Sequence, residues 1–178
     1  MNATASGTKA AATAAETRKN VTTVERRSDR LLVVTRSFDA PARILYDAWT
    51  KPELLKRWWA PRSLGVKLFD CEADVRVGGA YRFVFGHEPG ERMAFSGKYI
   101  EVVPNQRVVC TQIFEPMRQA GEAIVTATFE ESDGRTTFVL QALYPSKEAL
   151  DGAIASGMER GIRETYEQLE TLAAELTS

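Results

Sequence analysis

Few side chains in this sequence are of the kinds that carry out chemistry, and their spacing argues against most catalytic arrangements. The one histidine, His87, sits in the turn-forming run Gly86-His87-Glu88-Pro89-Gly90. A solvated loop imidazole is a simpler reading than a general base, and a single histidine cannot build the common zinc sites. Asp70, Glu72 and Asp74 recur at every second position, which puts their carboxylates on one face of a strand. Phe69, Cys71, Ala73 and Val75 take the other face, so the carboxylates are expected in water, paired with nearby lysine and arginine. Gly78-Gly79 lacks the lysine and the following helix of a phosphate-binding loop. Cys71 and Cys110 lie in apolar strand patterns, without C-x-x-C spacing or an adjacent histidine. They read as small buried hydrophobes in a thiol-reducing compartment.

Two further groups of residues carry more interest. Arg36 shares its parity with Leu32, Val34 and Phe38, which points it inward if that strand is half-buried. A buried guanidinium needs a carboxylate partner or an anionic ligand; an exposed strand end would instead let it reach water. Tyr81, Tyr99 and Tyr166 can supply phenolic hydrogen bonds to a ligand, or a proton in a cyclase-like reaction. Core tyrosines with one polar end in water account for them equally well. No catalytic set is assembled, and nothing here calls for a cofactor or a metal.

These residues must be positioned by a modest chain. Its 178 residues, 44% hydrophobic and 26% charged, suit one domain with a real core. A net charge of −1 provides no long-range attraction to nucleic acid or acidic membranes. The basic residues Lys51, Lys56, Arg57, Arg62 and Lys67 are interspersed with Glu53 and Asp70, as on a solvated face. No apolar run approaches the ~20 residues that span a bilayer. Residues 1–20 are rich in Ala and Thr and are expected to be a flexible arm without the apolar centre of a signal peptide. Residues 21–178 form the expected domain, in a cytoplasmic setting.

The pattern along that domain is strand, two short helices, six strands, one long helix. Val21-Thr22-Thr23-Val24-Glu25 and Leu31–Phe38 flank a polar turn and can pair as a hairpin. Asp39-Ala40-Pro41 is a helix start, followed by Ile44, Leu45, Ala48 and Trp49 at helical spacing. Thr50 and Glu53 have the spacing of a capping box for a second helix, which Pro61 stops. From Val66 to Tyr144 the period is two, with turns at Gly78-Gly79, Pro104-Asn105 and Asp133-Gly134. Ser146 can cap the last element, where Leu150, Ile154, Met158, Ile162, Tyr166, Leu169 and Leu172 recur every three or four residues. Glycines at 152, 157 and 161 suggest a bend or a close approach to the sheet.

The fold class is therefore α+β, a curved antiparallel sheet of about six to seven strands wrapped around a C-terminal helix. One helix ~10 Å across does not fill a wide concave sheet. The remaining space falls to side chains, to the short helices or to a ligand. Phe69, Tyr81, Phe83, Phe95, Tyr99 and Phe138 are the expected lining on the sheet, with Met158, Ile162 and Tyr166 on the helix. A small hydrophobic or aromatic ligand in that cavity is the leading functional expectation.

Three runs carry a resemblance: VVTRSFDAPARILYDAWTKPELLKRWWAP, EADVRVGGAYRF and YPSKEALDGAIASGMERG. In this order they resemble the SRPBCC (START-like) superfamily over about residues 30–175. The branch most similar is the bacterial one related to the C-terminal domain of the activator of the ninety-kilodalton heat-shock chaperone's ATPase. The resemblance implies the helix-grip fold, a cavity between sheet and long helix, and relatives that bind lipids, hormones or polyketides, with some cyclases and aromatases. It implies that Trp58 and Trp59 are the aromatic pair beside the cavity mouth, Gly78 and Gly79 a tight turn, and Gly157 to Ile162 the start of the main helix. Ile162 stands where many relatives have tryptophan, which implies a larger or reshaped pocket. A cyclase-like enzyme and a chaperone-associated interaction protein are the alternative readings, and a homodimer is left open.

Overall fold

The computed structural model describes residues 20–178; the expected arm falls almost wholly outside them. Eight strands form one antiparallel sheet in the order β1-β2-β8-β7-β6-β5-β4-β3. They are β1 (Thr23–Arg26), β2 (Leu31–Phe38), β3 (Lys67–Ala73), β4 (Ala80–Gly86), β5 (Arg92–Val103), β6 (Arg107–Phe114), β7 (Ala123–Ser132) and β8 (Arg135–Leu143). The expected hairpin is present, β1 pairing with β2 from Thr23↔Thr35 to Arg26↔Leu32. That hairpin makes the count eight rather than six or seven.

Between β2 and β3 run the short helices α1 (Ala42–Thr50) and α2 (Pro52–Trp58). Since β2 and β3 lie near opposite ends of the sheet, this connection crosses its concave face. The caps differ from expectation. Pro41 precedes α1 with no side-chain cap, and the Ala42 amide donates to the Glu131 carboxylate at 2.8 Å. Lys51 caps α2 with Pro52 in its first turn, while the Thr50 hydroxyl donates back to the Tyr46 carbonyl at 2.7 Å. Proline at N1 needs no amide partner, so the helix starts without a capping box.

The C-terminal helix is two helices. Ser146 caps α3 (Lys147–Ala155), its hydroxyl accepting from the Ala149 amide at 3.1 Å. Gly157 then takes a left-handed conformation (φ 82°) and starts α4 (Met158–Thr177). A side chain is disfavoured in that conformation, so Gly157 is where the apolar stripe changes direction. α4 packs on α1, α2 and β2. Thus three helices, rather than one, lie against the sheet, α4 on β2, α1 on β7 and α2 on β3.

Candidate functional site

The concave face divides into a filled half and an open half. On the filled half, Phe38, Trp58 and Phe138 are no more than 2% exposed. Their rings interlock with Trp49 and Tyr166: Trp49 lies 4.8 Å from Phe138 and 5.2 Å from Trp58, and Phe138 lies 5.6 Å from Tyr166. The Trp58 indole donates to the Ala48 carbonyl at 2.8 Å. These rings occupy the volume expected to hold a ligand. Helices α1 and α2 deliver Trp49 and Trp58 into it, and at interior packing density little space is left.

The open half is built from β4, β5 and β6. Their register puts Tyr81, Phe83 and Phe85 beside Gly97, Phe95 and Met93, and sets Phe95 opposite Phe114. Trp59, the residue after α2, stands edge-on to this sheet surface, with ring centroids 5.5 Å from Phe83, 5.2 Å from Phe85 and 6.1 Å from Phe95. Phe85 stacks on Phe95 at 5.2 Å, and Phe95 reaches Phe114 at 5.3 Å. All five rings remain half-buried, as does Trp49, whereas Phe38, Trp58, Phe138 and Tyr166 of the filled half are buried. The result is a continuous, half-buried aromatic wall on the sheet, rather than the lining of a closed cavity. Two surface grooves of about 340 and 440 Å³ lie elsewhere, on the outer side of α4 and at the α3–α4 junction, and neither includes a sheet residue.

Trp59 is held by the helix behind it. The Gln168 side chain of α4 donates to the carbonyls of Trp58 and Ala60, both at 2.8 Å, and accepts from the Arg62 amide at 3.1 Å. The Glu164 carboxylate accepts from the Ser63 amide at 2.6 Å and from its hydroxyl at 2.5 Å. These bonds hold the Glu164 carboxyl below its ordinary range. Together they clamp the segment from Trp58 to Ser63 against α4.

Next to the wall, Tyr81 and Tyr99 are buried, their centroids 5.4 Å apart. The Tyr81 hydroxyl donates to the Thr111 carbonyl at 2.6 Å, and the Cys110 thiol approaches its oxygen at 3.9 Å. Burial raises the phenols of Tyr81, Tyr99 and Tyr166. It pushes the thiols of Cys71 and Cys110 up to about 11. Both cysteines are free and protonated at neutral pH, so neither is an activated nucleophile. Tyr81 lies over Gly97, where an added Cβ would meet the Thr111 carbonyl oxygen at 1.9 Å. Gly97 is glycine because two backbones and a tyrosine close on it.

The sequence-expected residues therefore separate. Trp59, Phe83 and Phe95 form the aromatic wall, with Tyr81 and Tyr99 next to it. Met158 and Ile162 are half-buried on the first turns of α4. Trp58, Phe138 and Tyr166 belong to the filled half instead. Phe69 leaves the expected face: a bulge between Leu68 and Asp70 breaks the alternation, and Phe69 carries the Arg92 guanidinium 4.2 Å above its ring. Arg36 is 5% exposed and points inward, and its charge is answered within the fold. It pairs with the Glu170 carboxylate of α4 and donates to the Thr22 hydroxyl at 3.0 Å. Phe85 and Phe114 join the wall in addition to the expected residues. Phe85 shares its parity with Tyr81 and Phe83, whereas Phe114 needs the β5–β6 register to place it.

Residues 39–174 match the family described as activator of Hsp90 ATPase homolog 1-like protein. The chain belongs to that family. The architecture agrees with it. A crystal structure of a protein from Rhodobacter sphaeroides is 26% identical with a TM-score of 0.78, covering 87% of this chain and 99% of that one. One from Mycobacterium smegmatis is 25% identical with a TM-score of 0.76, covering 85% and 96%. A solution structure from Staphylococcus epidermidis is 26% identical with a TM-score of 0.70, covering 88% and 96%. No curated protein matches the chain. Family membership accounts for the helix-grip architecture and for the order of the sequence runs that carry the resemblance. Among the described residues no helix is long and apolar enough to cross a membrane.

Proposed function

We propose that this protein binds a small hydrophobic ligand in the cleft between the aromatic wall of β4–β6 and the first turns of α4. The observation that carries this reading is the half-burial of Trp59, Phe83, Phe85, Phe95 and Phe114, which touch one another yet keep surface open. Leaving that much contiguous aromatic surface in water is unfavourable by ~25 cal/mol per Å², and such patches mark binding sites. His87 is exposed in its turn, the thiols are protonated and Arg36 is paired. Binding without turnover is the function these groups support best.

The test is a fluorescence titration of the purified protein with an environment-sensitive naphthalene dye. Saturable binding that Trp59→Ala and Phe95→Ala each weaken about tenfold is expected, as for loss of one well-packed aromatic contact. Binding that is unsaturable, or unchanged in both variants, would remove the cleft from consideration.

A further inference from the structure

The aromatic wall says that a ligand is apolar; the residue beside it says more. On β6 the concave face carries Val108, Cys110, Gln112 and Phe114 in alternation, since Cys110 pairs with Val125, Gln112 with the buried Ala123, and Phe95 with Phe114. Gln112 is thus set between the aromatic wall and the thiol of Cys110, and by the same register it faces Gly97, where β5 has no side chain. Its side chain is half-buried, and no described residue hydrogen-bonds its carboxamide. Of the other polar groups on this floor, the Tyr81 hydroxyl donates to the Thr111 carbonyl and the Cys110 thiol is turned to the Tyr81 oxygen, which leaves the Tyr99 hydroxyl and the Gln112 carboxamide without a described partner. The residues that the register puts on this face of β4, β5 and β6 are all uncharged.

Taking the proposed cleft as its basis, we infer that it selects a neutral planar arene bearing one hydrogen-bonding substituent, which the Gln112 carboxamide reads. The amide offers both a donor and an acceptor, so a hydroxyl or a carbonyl on the ring is matched. A carboxylate or ammonium in the same place would lose its water and gain no opposite charge. A ring without the substituent would leave the amide desolvated and unpaired, which is the stronger form of discrimination.

Naphthalene, naphthol and naphthoate share one ring system and differ in this substituent alone. Titrated into the intact protein, naphthol is expected to bind about three- to tenfold more tightly than naphthalene or naphthoate, the range for one hydrogen bond. Gln112→Leu is expected to abolish the difference between naphthol and naphthalene, weakening the first and, with no amide left unpaired, tightening the second. Gln112→Ala is the second variant, and a melting curve for each establishes that it is folded. If naphthalene and naphthol bind equally to the parent protein, or naphthol is indifferent to both variants, the selection by Gln112 is wrong and the aromatic cleft stands. Tighter binding of naphthoate would overturn the exclusion of charge. If none of the three binds, the cleft itself is refuted and the inference falls with it.

Discussion

Trp58 and Trp59 are neighbours in sequence and should behave as opposites on substitution. Trp58 is 2% exposed, stacks on Trp49 at 5.2 Å and donates to the Ala48 carbonyl. Trp58→Ala removes a fully buried aromatic and opens a cavity, at about 3–5 kcal/mol. It also strands the Ala48 carbonyl, adding about 1 kcal/mol or more. For a chain of this size a loss near 4 kcal/mol lowers Tm by roughly 8–16 °C. Trp59 loses edge-on contacts with three phenylalanines, each worth about 0.5–1.5 kcal/mol. Because it is half-exposed, only part of that is felt, so Trp59→Ala should cost about 1–2 kcal/mol. Ligand binding should show the reverse order, weakened by Trp59→Ala and retained by Trp58→Phe. Urea unfolding followed by circular dichroism gives the stabilities, and dye titration gives the binding. Equal stability losses in the two alanine variants, or loss of binding in a folded Trp58→Phe protein with Trp59→Ala unaffected, would refute the division into filled and open halves.

Two more predictions follow from groups inside the fold. Arg36→Ala leaves the Glu170 carboxylate without its partner and should lower stability by about 2–4 kcal/mol, less than a fully buried pair because Glu170 is half-buried. Dye affinity in the same variant should stay within twofold; a large loss would place Arg36 in the binding site after all. All five tyrosines have phenols raised chiefly by burial. With folded values above the unfolded one of about 10, the unfolded state releases these protons first, so stability present below pH 10 is lost as pH rises through that range. Phenolate absorbance should therefore stay low until unfolding and then rise together with the loss of circular dichroism. A graded rise at ordinary phenol values in folded protein would contradict the burial of Tyr81, Tyr99 and Tyr166.

The sheet was legible in the sequence because half-burial imposes a period of two, and the residues from Val66 to Tyr144 obey it with turn-formers between. The helices were legible from their three-and-four spacing, but the last was expected as one; of the three glycines that suggested a bend, Gly157 is where α3 and α4 separate. Two further departures have local causes. Phe69 left its face because a bulge inserts one residue into β3, and alternation alone cannot register an insertion. The Thr50–Glu53 capping box did not form because Pro52 starts α2 one residue later.

Sequence alone determined which residues are apolar and which strands follow one another, since these depend on composition and short-range period. Where the rings gather was decided by the tertiary structure. Trp58 and Trp59 differ by one position, about 100° around a helix, and that rotation sends one into the core and the other onto the half-buried aromatic wall. Phe95 and Phe114 meet only because β5 and β6 pair in one register, and Gln112 joins them through the same pairing. The expected cavity under a lone helix was replaced by a filled half and an open one because α1 and α2 also cross beneath the sheet. Which of several helices occupies a concave surface is settled by long-range packing, and no local pattern encodes it.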